Sequence, residues 1–129
     1  MIKGLGADLV EKKRVEIIFS KYGNKFVDRI LTLSERQEFL KRKGRYKKIS
    51  FLSNNFVSKE ATSKALGTGF SKGITLKSIE VLRKDNGYPY LRLFGEAKKK
   101  ALKGGYESFN LSISDTKEHS LALVVVEGE

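Results

Sequence analysis

Two acidic side chains stand where apolar ones would be expected. Asp8 is the only charge between Lys3 and Glu11, inside Gly4-Leu5-Gly6-Ala7-Asp8-Leu9-Val10. A lone carboxylate in such a segment is a candidate ligand for a hard cation. It also fits the first position of a capping box with Glu11, and local sequence alone favours that cap. Glu60 interrupts a helical stripe. Stepping by four from Leu52 gives Phe56, Glu60 and Lys64, so the face that should meet the core turns charged halfway along. Buried charges persist when they are paired or bound to metal. A Glu60–Lys64 pair at the edge of the core, worth about a few tenths of a kcal/mol, is the simpler account of the residues taken alone.

Two further groups could meet a phosphorylated ligand. Gly67-Thr68-Gly69 follows the same stripe, with Lys72-Gly73 soon after, and flexible backbone amides can wrap a phosphate. This loop leaves a helix C-terminus, whose dipole repels anions, so an ordinary glycine cap is the bland alternative. Asn110, Ser112 and Ser114 line one face of a strand, with Thr116 after them. Exposed hydroxyls are usually only solvated, and gain a role if a polar ligand lies against that sheet.

Several chemistries are excluded outright. The 129 residues contain no Cys and a single His, His119, so disulfides, thiolate nucleophiles, Cys-ligated zinc and multi-histidine sites are absent. The longest apolar run, Leu121 to Val126, is far too short to span a bilayer. Met1-Ile2-Lys3-Gly4 has no signal-peptide core. The expectation is a soluble, cytoplasmic protein with no membrane partner. Lys plus Arg number 26 against 15 Asp plus Glu, a formal net charge of +11. Residues 36–48 carry seven basic side chains against Glu38 alone, and residues 83–103 carry seven against Asp85 and Glu96. Such clustering points to a polyanionic partner: an acidic protein, a phosphate-rich cofactor, nucleic acid or a membrane surface.

The elements that must position these residues follow from periodicity. With 40% apolar residues the chain is one domain, able to bury about two-thirds of its unfolded surface. Residues 2–10 predict a strand ending near Asp8. Val15, Ile18, Phe19 and Tyr22 mark one face of a helix stopped by Gly23, and Phe26, Val27, Ile30 and Leu31 mark a second. Thr32 with Glu35 predicts a capping box opening a helix to about Arg42. Gly44 to Lys48 is expected as a basic connection, before a long helix from Ser50 to Leu66. The period then changes. Residues 74–83 and 88–93 predict strands around the turn Asp85-Asn86-Gly87, with Pro89 at a strand start or edge. A basic helix over 94–103 precedes a half-buried strand through Phe109, Leu111 and Ile113. The last strand, 120–127, is apolar on both faces and therefore expected to be central. This is an α+β domain over residues 1–129, several N-terminal helices packed on an antiparallel sheet.

Four motifs in register resemble one family. Gly6-Ala7-Asp8-Leu9-Val10 with Arg14, Phe56-Val57-Ser58-Lys59-Glu60-Ala61 with Lys64 and Gly67-Thr68-Gly69, Asn86-Gly87-Tyr88-Pro89-Tyr90, and Leu111-Ser112-Ile113-Ser114-Asp115-Thr116 are similar to the motifs of the holo-acyl carrier protein synthases. These are the small bacterial phosphopantetheinyl transferases. The resemblance spans essentially the whole chain. It implies the 4'-phosphopantetheinyl transferase fold and transfer of the phosphopantetheine arm of coenzyme A to a Ser of an acidic apo-acyl carrier protein, in support of fatty acid biosynthesis. It implies Mg2+ held by Asp8 and Glu60, with Lys64 beside the diphosphate. It also implies coenzyme A contacts from Arg45, Lys47, Lys48, Lys64, Gly67, Thr68, Gly69, Gly87, Tyr88, Pro89, Ser112 and Thr116, and a homotrimer with active sites shared between subunits. Arg14 and Lys21, seven apart and so on one helical face, are assigned with Lys25 to carrier docking.

Two positions depart from the family pattern. Asn55 stands where an Arg usually precedes the Phe of the second motif, and Asn110 where a His usually precedes the Ser of the fourth. Asn cannot act as a base near neutral pH, which leaves Glu60 or a metal-bound water to accept the hydroxyl proton. The alternatives to a transferase are a basic RNA-binding domain, which leaves Asp8 and Glu60 unexplained, and an inactive homologue that only binds carrier proteins.

Overall fold

The computed structural model describes residues 1–129. Strand β1 (Ile2–Glu11) opens the chain. Helices α1 (Lys12–Tyr22), α2 (Asn24–Ile30), α3 (Leu33–Leu40) and the long α4 (Arg45–Ala65) follow. A 3-10 turn (Leu76–Ser78) leads into the hairpin β2 (Ile79–Arg83) and β3 (Pro89–Leu93), then α5 (Gly95–Lys103), β4 (Tyr106–Asp115) and β5 (His119–Gly128). The strands form two antiparallel sheets, a three-stranded one ordered β1-β5-β4 and the two-stranded β2-β3 hairpin. The α+β expectation holds, with the strands divided between two sheets and β5 central.

Helix α4 is the axis of the molecule, and two glycines decide how closely it sits on the sheet. A Cβ at Gly4 would lie 2.2 Å from the Ala65 carbonyl oxygen, and one at Gly6 only 1.9 Å from that of Ala61. Only hydrogen fits, so backbone meets backbone. Strand alternation puts Asp8 on the same face as Gly4 and Gly6. In register, Asp8 lies opposite Ala122 on β5, and Ala122 opposite Ile113 on β4. Val57, Ala61 and Ala65 of α4 pack with Leu111, Ala122, Val124 and Val126 of the sheet as one buried cluster. Each larger side chain in it contributes about 1.5–3 kcal/mol of burial. Val15, Val27, Ile30, Phe39, Phe51 and Leu52 join α1–α3 to α4.

Inside that packing sits a polar node. Lys59 and Glu35 are both wholly buried, with Lys59 Nζ 2.7 Å from Glu35 Oε1, 2.5 Å from the Ile30 carbonyl and 2.9 Å from that of Leu76. Glu35 Oε2 accepts from Asn55 Nδ2 at 2.8 Å and from the Val81 amide at 3.1 Å. The Thr32–Glu35 capping box forms as expected and delivers Glu35 to this node.

Four local expectations are corrected. β1 continues to Glu11, Asp8 lies mid-strand, and the helix after it has no side-chain cap, so the Asp8–Glu11 box does not form. Strand pairing with β5 outcompetes the local cap. Helix α4 begins at Arg45 behind Gly44 at φ 85, so the basic connection is its first turn. Only residues 79–83 of the 74–83 segment are strand. In α1, Val15 is buried but Ile18 is 39% and Tyr22 52% exposed, so half of that apolar stripe faces outward.

Candidate active site

The carboxylates meet. Lys64 Nζ lies 3.0 Å from Asp8 Oδ1 and 3.1 Å from the Ala7 carbonyl, linking α4 to β1. Glu60, one turn earlier on α4, is close enough to Asp8 for the two charges to interact. Partial burial, then the Asp8 charge, push the Glu60 carboxyl above its usual range, while Lys64 pulls it down. Two carboxylates and one ammonium therefore converge where β1 and α4 touch, with Asp8 partly exposed and its pairing to Lys64 open to solvent. Such a donor pair suits Mg2+, which takes one or two protein carboxylates and completes its shell with water and phosphate oxygens.

The Gly67-Thr68-Gly69 loop leaves α4 a turn beyond Lys64. Gly67 and Gly69 adopt φ of 80 and 60. Their own amides and that of Thr68 are all engaged, Gly67 N by the Lys64 carbonyl and the other two by that of Ser63. The loop is a helix cap, offering close backbone approach rather than free amide donors. Thr68 instead borders a cavity of about 490 Å³ walled by Lys72, Lys99, Lys100 and Lys103.

A second cluster lies elsewhere. Gly87, Tyr88 and Pro89, from the β2–β3 turn, face Leu111, Ser112 and Ile113 of β4 across a cavity of about 310 Å³, closed by Asn54, Arg83 and Asp115. An adjoining cavity of about 280 Å³ shares Asn54, Arg83 and Asp115 and adds Arg42, Tyr46, Lys47 and Ser50. The turn is built by its sequence: Gly87 takes φ 87, and Asn86 Oδ1 accepts from the Tyr88 amide at 3.0 Å.

The structure splits the expected coenzyme contacts. Lys47 opens onto the second cluster. Arg45 turns to α1, pairing with Glu16 at 3.5 Å and Ser20, beside the largest cavity of about 540 Å³. Lys48 folds back over the Phe39 ring. Thr116 caps the β4–β5 turn, its hydroxyl accepting from the His119 amide at 3.0 Å. Lys47 and Lys64 are about 25 Å apart along α4 at 1.5 Å per residue. Asp8 is on one edge strand of the three-stranded sheet and Ser112 on the other, about 10 Å apart across β5.

Arg14, Lys21 and Lys25 are exposed on α1 and α2. Lys25 rims a groove of about 400 Å³ with Ile18, Tyr22, Phe26 and Arg29, so the outward half of the α1 stripe lines a surface groove. Asn110 is exposed and its Nδ2 donates to the Val125 carbonyl and to Glu127 Oε1. Asn55 is buried, and Arg83 Nη2 donates to its Oδ1 at 2.9 Å. A guanidinium thus lies beside position 55 after all, delivered from β2. Arg83 and Asn54 escaped sequence analysis because only tertiary structure brings them to the cavity.

A family model described as the 4'-phosphopantetheinyl transferase superfamily matches residues 4–124. The holo-(acyl-carrier-protein) synthase of Alkalilimnicola ehrlichii is 42% identical over 127 residues, covering 98% of both chains. The crystal structure of the Neisseria meningitidis holo-(acyl-carrier-protein) synthase has a TM-score of 0.88 at 34% identity, over 98% of this chain and 99% of that one. The Bacillus anthracis synthase, in complex with CoA (3',5'-ADP), has a TM-score of 0.83 at 37% identity, over 100% and 99%.

Proposed function

The chain belongs to the 4'-phosphopantetheinyl transferase superfamily and is a transferase of the holo-acyl carrier protein synthase kind; from that premise we propose how its own residues carry the reaction. The arm of coenzyme A passes to a Ser hydroxyl of an apo-acyl carrier protein. A new phosphorus–oxygen bond forms to that hydroxyl, the bond inside the diphosphate breaks, and adenosine 3',5'-bisphosphate leaves. Most of this work is positioning and charge neutralisation on phosphate oxygens.

The observation that carries the proposal is the convergence of Asp8, Glu60 and Lys64. Asp8 and Glu60 would hold Mg2+, which when bound offsets diphosphate charge as a Lewis acid. Lys64 already bridges to Asp8 and is placed to swing its ammonium onto a phosphate oxygen. Asn110 carries no base and is tied to the sheet. Glu60, the carboxylate that stands beside Asp8 one helical turn from Lys64, is the residue we assign to take the hydroxyl proton. Arg14, Lys21 and Lys25 meet the acidic carrier around the groove floored by Ile18, Tyr22 and Phe26, where complementary charge raises the association rate.

We further propose that copies associate as a homotrimer with shared sites. The outer face of the sheet exposes Leu5 and Leu9 of β1 beside Leu121 and Leu123 of β5. Covering that face would bring the Asp8 edge of one copy toward the Ser112 edge of its neighbour. No helix is long and apolar enough to cross a membrane, and a cysteine-free chain suits a reducing compartment. We place the reaction in the cytoplasm, priming carriers for fatty acid biosynthesis.

Incubation with coenzyme A, Mg2+ and an apo-carrier protein should add the mass of the arm to the carrier. Asp8→Ala and Glu60→Ala should each abolish transfer while circular dichroism stays native. Normal transfer by either variant removes the metal assignment. Salt-sensitive RNA binding with no transfer removes the transferase.

A further inference from the structure

Arg83 is half-buried and pairs with no carboxylate. It ends β2, opposite Pro89. Its Nη2 is held by Asn55 Oδ1 at 2.9 Å, and its guanidinium stacks 5.5 Å from the centre of the Phe51 ring. Its Nη1 is buried and has no hydrogen-bond partner. A buried donor left unmade is costly, and in a guanidinium it points to an acceptor that arrives from outside.

The surroundings specify that acceptor. Arg83 forms the wall common to the two adjoining cavities, one reaching Gly87, Tyr88, Pro89 and Ser112, the other reaching Arg42 and Lys47. Arg42, Lys47 and Arg83 make no ion pair with any carboxylate. The single acid in these walls, Asp115, is held by Lys12 Nζ at 2.9 Å. Burial lowers the proton affinity of Arg83 from its ordinary value, Glu38 raises it, Arg42 lowers it and Glu35 raises it. The cavity is therefore cationic and forked in its donors, which suits the oxygens of a phosphate.

Coenzyme A carries two kinds of phosphate, the diphosphate and a monoester on the ribose. The proposed function gives the diphosphate to Asp8, Glu60 and Lys64, on the opposite edge of the sheet. We infer that Arg83 binds the ribose phosphate monoester and so makes the protein discriminate 3'-phosphorylated nucleotides from those lacking that group. This rests on coenzyme A being the substrate, but its test does not need turnover.

Binding of adenosine 3',5'-bisphosphate and of adenosine 5'-monophosphate is compared by calorimetry at fixed ionic strength, for the wild-type protein, Arg83→Met and Arg83→Lys. The wild type should prefer the bisphosphate by about 10- to 100-fold, the worth of one strong charge-assisted contact. Arg83→Met should reduce that preference to about threefold or less, with the affinity for the 5'-monophosphate unchanged. Arg83→Lys keeps a donor for Asn55 and should fold as the wild type with an intermediate preference. A preference unchanged in both variants, or equal weakening of both nucleotides, overturns the inference and makes Arg83 a structural support. Absence of arm transfer by the wild type would count against the proposed function alone, since nucleotide preference is read separately.

Discussion

Glu60 is held in two opposing ways. Burial and Asp8 raise its pKa, and Lys64 lowers it. In metal-free protein the linkage has a definite sign. A carboxyl whose native pKa lies above its unfolded value contributes fully below the unfolded pKa, and that contribution is lost as pH rises through the native pKa. Glu60→Gln should therefore unfold at a higher temperature than the wild type at pH 7, with the gap closing toward pH 4, where both side chains are neutral. Thermal melts in chelator at several pH values read this directly. A gap that widens on acidification would contradict it. The buried pair behaves differently. Lys59→Met leaves Glu35 charged and buried, and should cost about 3–5 kcal/mol in urea unfolding. Lys59→Met with Glu35→Leu should recover a large part of that loss, because the uncompensated charge is gone. At this scale the sequence exposes what breaks a pattern. Asp8 and Glu60 are legible because a charge interrupts an apolar run. Arg83, Asn54 and the Lys59–Glu35 pair are not, because charged and polar residues on a chain of net charge +11 look ordinary until folding removes their water.

At the scale of elements, α4 against β1 sets the geometry that brings Glu60 and Lys64 to Asp8. The contact depends on hydrogen at Gly6, where a Cβ would lie 1.9 Å from the Ala61 carbonyl oxygen. Gly6→Ala must push helix from sheet. It should destabilise by about 2–3 kcal/mol or more and lower transfer further than the stability loss explains, since the carboxylates separate. Hydrogen exchange of β1 amides alongside the transfer assay checks both. Helix α1 presents a contrasting case. Arg14 and Lys21 stand free of the core, so Arg14→Glu with Lys21→Glu should leave the melting temperature unchanged. It should raise the KM for carrier protein about tenfold or more at low salt, with a smaller effect at high salt. An unchanged KM at low salt would remove docking from this face. Periodicity located α1 and the Thr32–Glu35 cap because both signals are local. It misjudged the start of α4, since nothing local distinguishes a basic loop from a basic first turn, and it put Ile18 and Tyr22 on one face with Val15 without giving that face a direction, because an outward apolar stripe has the same spacing as an inward one.

At the scale of the whole molecule, the proposed reaction requires the clusters around Asp8 and around Ser112, on opposite edges of one sheet, to meet one coenzyme. Periodicity made β5 central, as the structure has it, with one apolar face against α4 and the other exposing Leu121 and Leu123. Which strand edges meet in an assembly is a property of packing between copies, and no pattern within one sequence encodes it. Subunit mixing tests the arrangement. Asp8→Ala damages only the β1 edge. Gly87→Val, forcing a β-branched residue into φ 87, damages only the turn beside β4. Each variant alone should be inactive. If every site combines the β1 edge of one copy with the β4 edge of the next, random reassembly of equal amounts should restore roughly a quarter of wild-type activity, one intact half drawn from each variant. Leu9→Lys with Leu123→Glu, placed on the apolar face, should dissociate the assembly in sedimentation experiments and abolish this rescue. Mixtures that stay inactive while co-assembly is demonstrated would mean that each copy builds its site alone, and that the coenzyme passes around its own sheet edge rather than between subunits.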